Sequence, residues 1–572
     1  MEDAPGLYRD DSTPGRGPKL RVGILLDAGA PAAWIARIVR DIQASDQAQV
    51  VAVIRSDGAP PAARVALVPR VLRTLYDAFD ARAFAIAHDP FAPASLSEVL
   101  GEAVVIAVAP PPRGEPEGFA DEELAAIEAQ RLDVALQLGA RRLGGRTLAI
   151  ARFGVWSYQH GDARANLGGP AGSWEVMTHA PVTASALHQR TGTGARTLYE
   201  SWSATDPISV RRNRANLYWK ASAFVMRALR DLHERGPAGL EGTPRMVGSG
   251  VRADDTAAAE PSAGRVVAGF ARFGRAVVRD RTDRLLSRKQ WLLAYGIDRA
   301  RTGAVPTQAL AELSWIIPPR DRFWADPFVA RHGDGWVVVF EEKLYARRNA
   351  RIAALEIDRD GKLGEPYPVL ERDYHLSYPF LLWWNATWWM IPESARNGTI
   401  ELWRATEFPR RWALERTLIE GIHAVDATLV EHAGRWWMFC NIGEPGASKD
   451  DELHLFHAQT PLGPWTPHPR NPIKSDIRGA RPAGRPFWVD GAWHRPAQDS
   501  SAGYGSSLVM HRIERLDLSG YAETVASRLT PSFAPGLIGL HTINAADGLT
   551  VIDLRVARPR LAMFDRLRGA HR

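Results

Sequence analysis

Five side chains in the second half of the chain recur at a spacing that could assemble one polar site. Asp326 stands in Trp-Ala-Asp-Pro-Phe, Tyr378 in Leu-Ser-Tyr-Pro-Phe, Asp426 in Ala-Val-Asp-Ala-Thr, Arg481 in Gly-Ala-Arg-Pro-Ala and His541 in Gly-Leu-His-Thr. They are separated by 52, 48, 55 and 60 residues. A second polar set follows 15 to 17 residues after the first: Glu341 or Glu342, Glu393, Asn441 and Gln498. Carboxylates can take up and release protons, whereas the guanidinium beside them stays charged at neutral pH. Different polar residues in one repeated slot would give an asymmetric polar site. The plainer alternative is a set of strand caps that bind water. A lone His541 is more often a hydrogen-bonded structural residue than a ligand, so no metal site is expected.

The elements that must carry these residues are short strands. Each key residue precedes an apolar run, as in Gly335-Trp336-Val-Val-Val-Phe, Trp388-Trp389-Met-Ile and Gly434-Arg-Trp436-Trp437-Met-Phe. Five copies at a period near 50 residues read as a five-bladed β-propeller, placed at 291–560, whose equivalent positions ring one channel. Of the 20 Trp residues, fourteen lie between Trp315 and Trp493. The pairs Trp383-Trp384, Trp388-Trp389 and Trp436-Trp437 could stack on sugar rings. Blade packing is the plainer role, because alternation sends one of each pair inward and one outward.

The first half reads differently. Leu20–Leu26 and Gln49–Arg55 are apolar strands flanking a helical stretch, Ala32–Ala44, and Val104–Val108 and Asp133–Leu138 look like further buried strands. Continuous apolar strands alternating with helices predict a parallel sheet, placed at 20–235. Residues 237–262 are rich in Pro, Gly, Ala and Ser and read as a linker. Residues 265–289 mix apolar positions with many Arg, so that 236–290 joins the two halves as linker and basic helix. That helix could touch a membrane surface peripherally or pack its apolar face on protein.

Two resemblances extend this reading. Gly154-Val-Trp-Ser-Tyr-Gln-His160-Gly-Asp162, then Gly168-Gly169-Pro, Trp174-Glu-Val and Pro181-Val-Thr-Ala, are similar to the core of 10-formyltetrahydrofolate-dependent formyltransferases. The resemblance implies a Rossmann-like α/β formyltransferase domain with 10-formyltetrahydrofolate as cofactor. His160 fills the family's His slot, which stabilises an oxyanion. Tyr158 stands where the family has Asn, and the family's Asp slot holds no acid, which leaves Asp162 as the nearby base candidate. In the second half, FWADPF, HLSYPF, IPES, ELWRA, VDATL, DELHLF and GPWTPHPRNP resemble the propeller-like domain of glucosamine inositolphosphorylceramide transferases. More distantly, the ring resembles that of five-bladed furanosidase-type glycoside hydrolases. That likeness implies a base at Asp326 and a pKa-tuning acid at Asp426, but puts Arg481 where those enzymes carry the general acid.

Composition narrows the rest. The chain has 572 residues with 45% hydrophobic and 24% charged, ordinary for a folded globular protein. No apolar run is long enough to span a bilayer, the polar N-terminus lacks a signal core, and Cys440 is the only cysteine. A cytoplasmic location is the expectation. The net charge of +6 is mild, and no nucleic-acid partner is expected. The expected function is that of a carbohydrate-related transferase: formyl transfer to an amino sugar or glycan precursor, with the propeller binding a sugar, nucleotide-sugar or glycan. The alternatives are a propeller-based glycosidase-like enzyme and a non-catalytic glycan-binding or assembly protein.

Overall fold

Apolar runs in the first half form one sheet in the computed structural model, which describes residues 17–56, 67–109, 118–139, 143–161, 171–241, 263–298 and 312–560. The strands are β1 (Leu20–Leu26), β2 (Ala48–Ser56), β3 (Val104–Val108), β4 (Val134–Gln137), β5 (Val155–His160), β6 (Val182–Thr191) and β7 (Gly194–Ala204), in the order β3-β2-β1-β4-β5-β6-β7. The first five run parallel, and β6 and β7 are antiparallel. Strand order reverses between β1 and β4, which makes their carboxyl ends the switch point of a doubly wound sheet. Both faces are covered: Val22, Ile24 and Val50 pack with Trp34, Ile38 and Ile42 of the helix Ala33–Ala44, while Leu25, Ile54 and Val155 pack with Leu124 and Ile127 of the helix Asp121–Glu128. The expectation of a buried Val104–Val108 is corrected in part. It is an edge strand, and Val104 and Val105 are exposed.

Gly154 illustrates why the motif before β5 is spelled as it is. Its φ is +73°, and a Cβ there would lie 2.4 Å from the carbonyl oxygen of Arg190. Only glycine fits so close an approach of two backbones. After Glu241 the expected linker lies outside the described residues. The basic stretch is a helix, Ala263–Leu286, whose Phe270 and Phe273 pack on Tyr76.

The described residues divide into two units near Val277. The second is a β-propeller of five blades. Blade one is Arg322–His332, Gly335–Leu344, Arg351–Ile357 and Tyr367–Leu370. Blade two is Ser377–Trp384, Thr387–Ser394, Thr399–Glu407 and Arg411–Glu420. Blade three is built on Ala424–His432, Arg435–Ile442 and Glu452–Ala458, and blade four on Phe487–Val489, Ala492–Asp499, Ser507–Asp517 and Gly520–Leu529. The fifth blade joins both ends of the domain. Leu549–Pro559 pairs antiparallel with Ser287–Ile297 along its whole length, from Leu549↔Ile297 to Pro559↔Ser287. The propeller therefore starts at Ser287 rather than 291, and its first strand completes its last blade. Inter-blade faces are filled by large apolar residues such as Phe328, Phe380, Trp389 and Met438. Trp436 and Trp437 are buried in blade packing, whereas Trp383 is exposed.

Candidate functional site

The first strands of blades one, two and three break register at the same place: between Ala325 and Phe328, Ser377 and Phe380, and Val425 and Thr428. The skipped residues include Asp326, Tyr378 and Asp426, with φ of +51°, +41° and +55°. Non-glycine residues reach this left-handed region at a cost of roughly 1–2 kcal/mol each. A bulge of this kind re-aims a side chain out of the strand's alternation. Charged hydrogen bonds between blades offset the strain. The Asp326 amide donates to Asp553 Oδ2 at 3.0 Å, and the Tyr378 amide donates to Asp326 Oδ2 at 3.3 Å.

The second set is fixed by register. Glu341 pairs with Ala325, Glu393 with Ser377 and Asn441 with Val425, and the Gln498 amide donates to the Arg481 carbonyl at 2.8 Å. Glu342 was one candidate for the blade-one position, and the structure corrects it. Its carboxylate is held by Arg322 at 2.9 Å, by Arg351 at 2.7 Å and by the indole of Trp324 at 3.2 Å. Glu341, on the opposite face of the strand, sits 3.3 Å from His375 Nε2 and bears electrostatically on Asp326. Asp553 is the fifth-blade acid that sequence reasoning missed. It follows His541 by only twelve residues, short of the 15 to 17 seen in the other blades.

Three arrangements result. In the first, Arg481 forks onto Asp426, with Nε at 2.6 Å from Oδ2 and Nη2 at 3.3 Å from Oδ1. Its Nη1 reaches Asp450 at 2.7 Å, and Nη2 lies 3.7 Å from Glu393 Oε2. In the second, His541 stacks on Trp291 at 3.9 Å, with Nδ1 2.5 Å from Asp553 and Nε2 3.6 Å from Asp326. Thr542 Oγ1 donates to Asp326 Oδ1 at 2.7 Å. In the third, the Tyr378 hydroxyl accepts from the Gly484 amide at 2.8 Å and donates at 2.9 Å to Thr428 Oγ1, whose own proton goes to the Asp426 carbonyl. Tyr378 is fully buried and ties blades two, three and four together.

Burial sets the protonation of this ring. Glu393 is pushed up to about 8, first by desolvation and then by Asp426, against the pull of Arg481. Asp326 is pushed up to about 7 by desolvation and by Glu341, Asp426 and Asp553, against His541. Burial opposes the charge on His541, but Asp553 and Asp326 outweigh it and raise its pKa above the usual range. Near neutrality the ring thus holds a protonated acid, a poised carboxyl backed by an imidazole, and a fixed guanidinium–carboxylate pair. Asn441 is wholly buried, and neither of its amide atoms has a hydrogen-bond partner among the described residues.

Among the described residues, Asp326, His541 and Asp553 are the one His/Cys/Asp/Glu group whose donor atoms all lie within 4.8 Å of one another. Asp553 already accepts backbone N–H groups from Asp326, His541 and Thr542 as well as facing the imidazole. Its oxygens are committed to the fold, and the trio has the form of a carboxylate–imidazole–carboxylate relay.

In the α/β domain the structure places Tyr158 and His160 together at the end of β5, with rings 5.6 Å apart. The Tyr158 hydroxyl donates to the Ala221 carbonyl at 2.7 Å. His160 Nδ1 lies 3.0 Å from Ser185 Oγ, and burial with Arg214 nearby pulls the imidazole down to about 3, so it is neutral. Asp162 lies outside the described residues. The arginines that open the helix Val210–Ala221 are engaged: Arg211 with Asp89 at 2.9 Å and Arg212 with Asp206 at 2.8 Å.

Comparison with known proteins covers part of the propeller. Residues 304–532 match the family described as glucosamine inositolphosphorylceramide transferase 1, N-terminal. The chain is 37% identical over 205 residues to glucosamine inositolphosphorylceramide transferase 1 of Oryza sativa subsp. japonica, covering 35% of this chain and 27% of that protein. It is 36% identical over 208 residues to the protein of that name from Arabidopsis thaliana, with the same shares covered. The chain thus spans about a quarter of the length of the curated relatives it matches. Among solved structures it is similar to Zg3597, a family 117 glycoside hydrolase of Zobellia galactanivorans, at a TM-score of 0.31 and 14% identity over 47% of this chain and 91% of that one. An exo-β-1,3-galactanase of Clostridium thermocellum gives a TM-score of 0.31 and 11% identity over 46% and 62%. At such scores neither structure bears on the chemistry of this chain.

Proposed function

We propose that this protein is a carbohydrate-related transferase whose propeller ring binds the sugar portion of its substrate. The observation that carries the reading is the pairing of protonated Glu393 and poised Asp326 with the Arg481–Asp426 clamp. A neutral carboxylic acid can donate to a sugar or glycosidic oxygen, and a carboxylate can accept a hydroxyl proton. Arg481, pinned by Asp426 and Asp450, keeps a fixed positive charge beside the ring that can meet sugar hydroxyls or an anionic substituent with its remaining N–H groups. The 37% identical plant relatives are named as transferases, in agreement with this class. The test is calorimetric titration of hexosamines, nucleotide-sugars and oligosaccharides into the full chain. Binding that is lost on Glu393→Ala or Arg481→Met supports the reading. Binding unchanged by both substitutions, or no binding of any sugar, overturns it. Hydrolysis of an oligosaccharide that stops with Asp326→Asn would instead favour the glycosidase alternative.

For the α/β domain we propose formyl transfer to an amino group of the sugar, using 10-formyltetrahydrofolate. Its support is His160, a neutral imidazole at the carboxyl end of the last parallel strand, suited to hydrogen-bond an oxyanion. Tyr158 is committed to Ala221, so it does not replace the family's Asn, and the proton acceptor would be Asp162. Titration of a 10-formyltetrahydrofolate analogue into the full chain should show binding weakened by His160→Ala. No binding up to millimolar analogue removes this proposal and leaves the propeller reading standing.

A further inference from the structure

Leu285, Leu286 and Val278 are the most exposed large apolar side chains among the described residues, at 73%, 68% and 65%. All three stand in the last turns of the helix Ala263–Leu286, within nine residues of one another. Single exposed apolar residues are ordinary, but a contiguous group marks a surface that meets something. The helix already buries a different face, where Phe273 packs with Tyr76, Val176, Ile208 and Val210. The exposed group is therefore a second apolar surface on the same helix.

Its borders are basic. At about 3.6 residues per turn, Val278, Thr282 and Leu285 lie along one line of the helix, with Leu286 next round the surface. Arg281 borders this strip on one side and Arg279 on the other. Asp280 and Asp283 fall outside it, and they pair with Arg284 at 3.0 Å and Arg279 at 3.7 Å. Residues 278–289, which add Arg288 and Lys289 just beyond the helix, hold five basic and two acidic side chains, a net charge of +3. The helix end is fixed in place. The Arg560 amide donates to the Leu286 carbonyl at 2.9 Å, Arg560 Nε donates to the Arg284 carbonyl at 3.0 Å, and Ser287 Oγ donates to the Asp283 carbonyl at 2.9 Å. The strip is thus presented on a rigid element and runs directly into the first strand of the propeller.

We infer that this strip docks the protein onto an anionic lipid bilayer, with the end of the helix lying in the plane of the surface. Among the described residues no helix is long and apolar enough to cross a membrane, so contact through this one is interfacial. Charge complementarity selects the occupant. Leucines bordered by arginines match the boundary between acyl chains and negative headgroups: the apolar side chains enter, and the long basic side chains lay their stems along the surface and keep their charges among the headgroups. The strip shares no residue with the sugar-binding ring and stands or falls independently of it.

The test is co-sedimentation of the full chain with vesicles of phosphatidylcholine, with or without phosphatidylserine. The parent should associate with the anionic vesicles alone, and should be released near 1 M salt, where the Debye length is about 3 Å. Leu285→Ser/Leu286→Ser should weaken association at least about tenfold with an unchanged melting temperature, since both side chains are exposed. Arg281→Glu, which leaves the apolar side chains in place, should also weaken it about tenfold and flatten its dependence on salt. A fluorophore on Thr282→Cys reports the strip itself, because the protein's only other cysteine, Cys440, is buried. Its emission should be that of a dye in water before vesicles are added and should shift to the blue with anionic vesicles. Emission already blue-shifted without lipid and unmoved by it would mean that the chain's own residues or a second copy cover the strip, and would overturn the inference. No association, association indifferent to phosphatidylserine, or association equal in the serine variant and the parent would overturn it too.

Discussion

Replacing Glu393 by glutamine should stabilise the protein in a pH-dependent way. In the fold this carboxyl titrates near 8, against an ordinary value of 4.5, with its burial as the main cause. A carboxyl raised in this way binds more protons folded than unfolded, so stability falls as pH rises from about 4.5 through about 8. At 1.36 kcal/mol for each unit of difference, the penalty at pH 7 is about 3 kcal/mol. Glutamine keeps the shape and hydrogen bonds of the protonated acid and never ionises. At roughly 2 °C per kcal/mol for a domain of this size, its melting temperature should exceed the parent's by about 6 °C at pH 7. The gap should widen toward pH 8 and close near pH 5. Differential scanning calorimetry across that range reads it directly. A variant whose melting curve tracks the parent's at every pH, or lies below it at pH 8, would refute the claim that Glu393 is held neutral by burial.

Other perturbations probe the same scaffold. Asp426→Ala leaves Arg481 buried without its main partner and should cost about 3–5 kcal/mol in denaturant unfolding, with much of this recovered in Asp426→Ala/Arg481→Met. The hairpin turn of blade two has positive φ at both Asn385 and Ala386, +51° and +57°. Ala386→Gly should therefore stabilise the protein by about 1 kcal/mol, read as a shifted urea midpoint. Gly505→Ala would set a Cβ 2.6 Å from the Trp291 ring, which stacks on His541. The His541 imidazole resonances should shift and its titration move, while a merely local effect would leave them in place.

Much of this ring was legible because the repeat places one residue per blade and the motifs keep their spelling. Asp326, Tyr378 and Asp426 share one slot in the repeat, and in the structure they share one bulge. Glu341 and Glu342 could not be told apart without register, since adjacent strand residues face opposite ways and both are acidic. Asp553 escaped because blade five is spliced from two distant segments, so its spacing does not match the other four. The raised pKa values are invisible in sequence altogether. They arise from carboxyls that meet only when separate blades close around them.

The eleven-residue pairing of Ser287–Ile297 with Leu549–Pro559 has a temporal meaning. During synthesis the first of these strands emerges some 250 residues before its partner and must wait with an open edge. Asp553 sits on the late strand, and it is Asp553 that receives the Asp326 amide and orients His541. Four blades can be complete while the polar ring still lacks the acid that sets it. The ring's geometry is therefore completed in a single late event, when the circle shuts. A chain stopped before Leu549 would carry nearly all the named side chains and hold none of the relay.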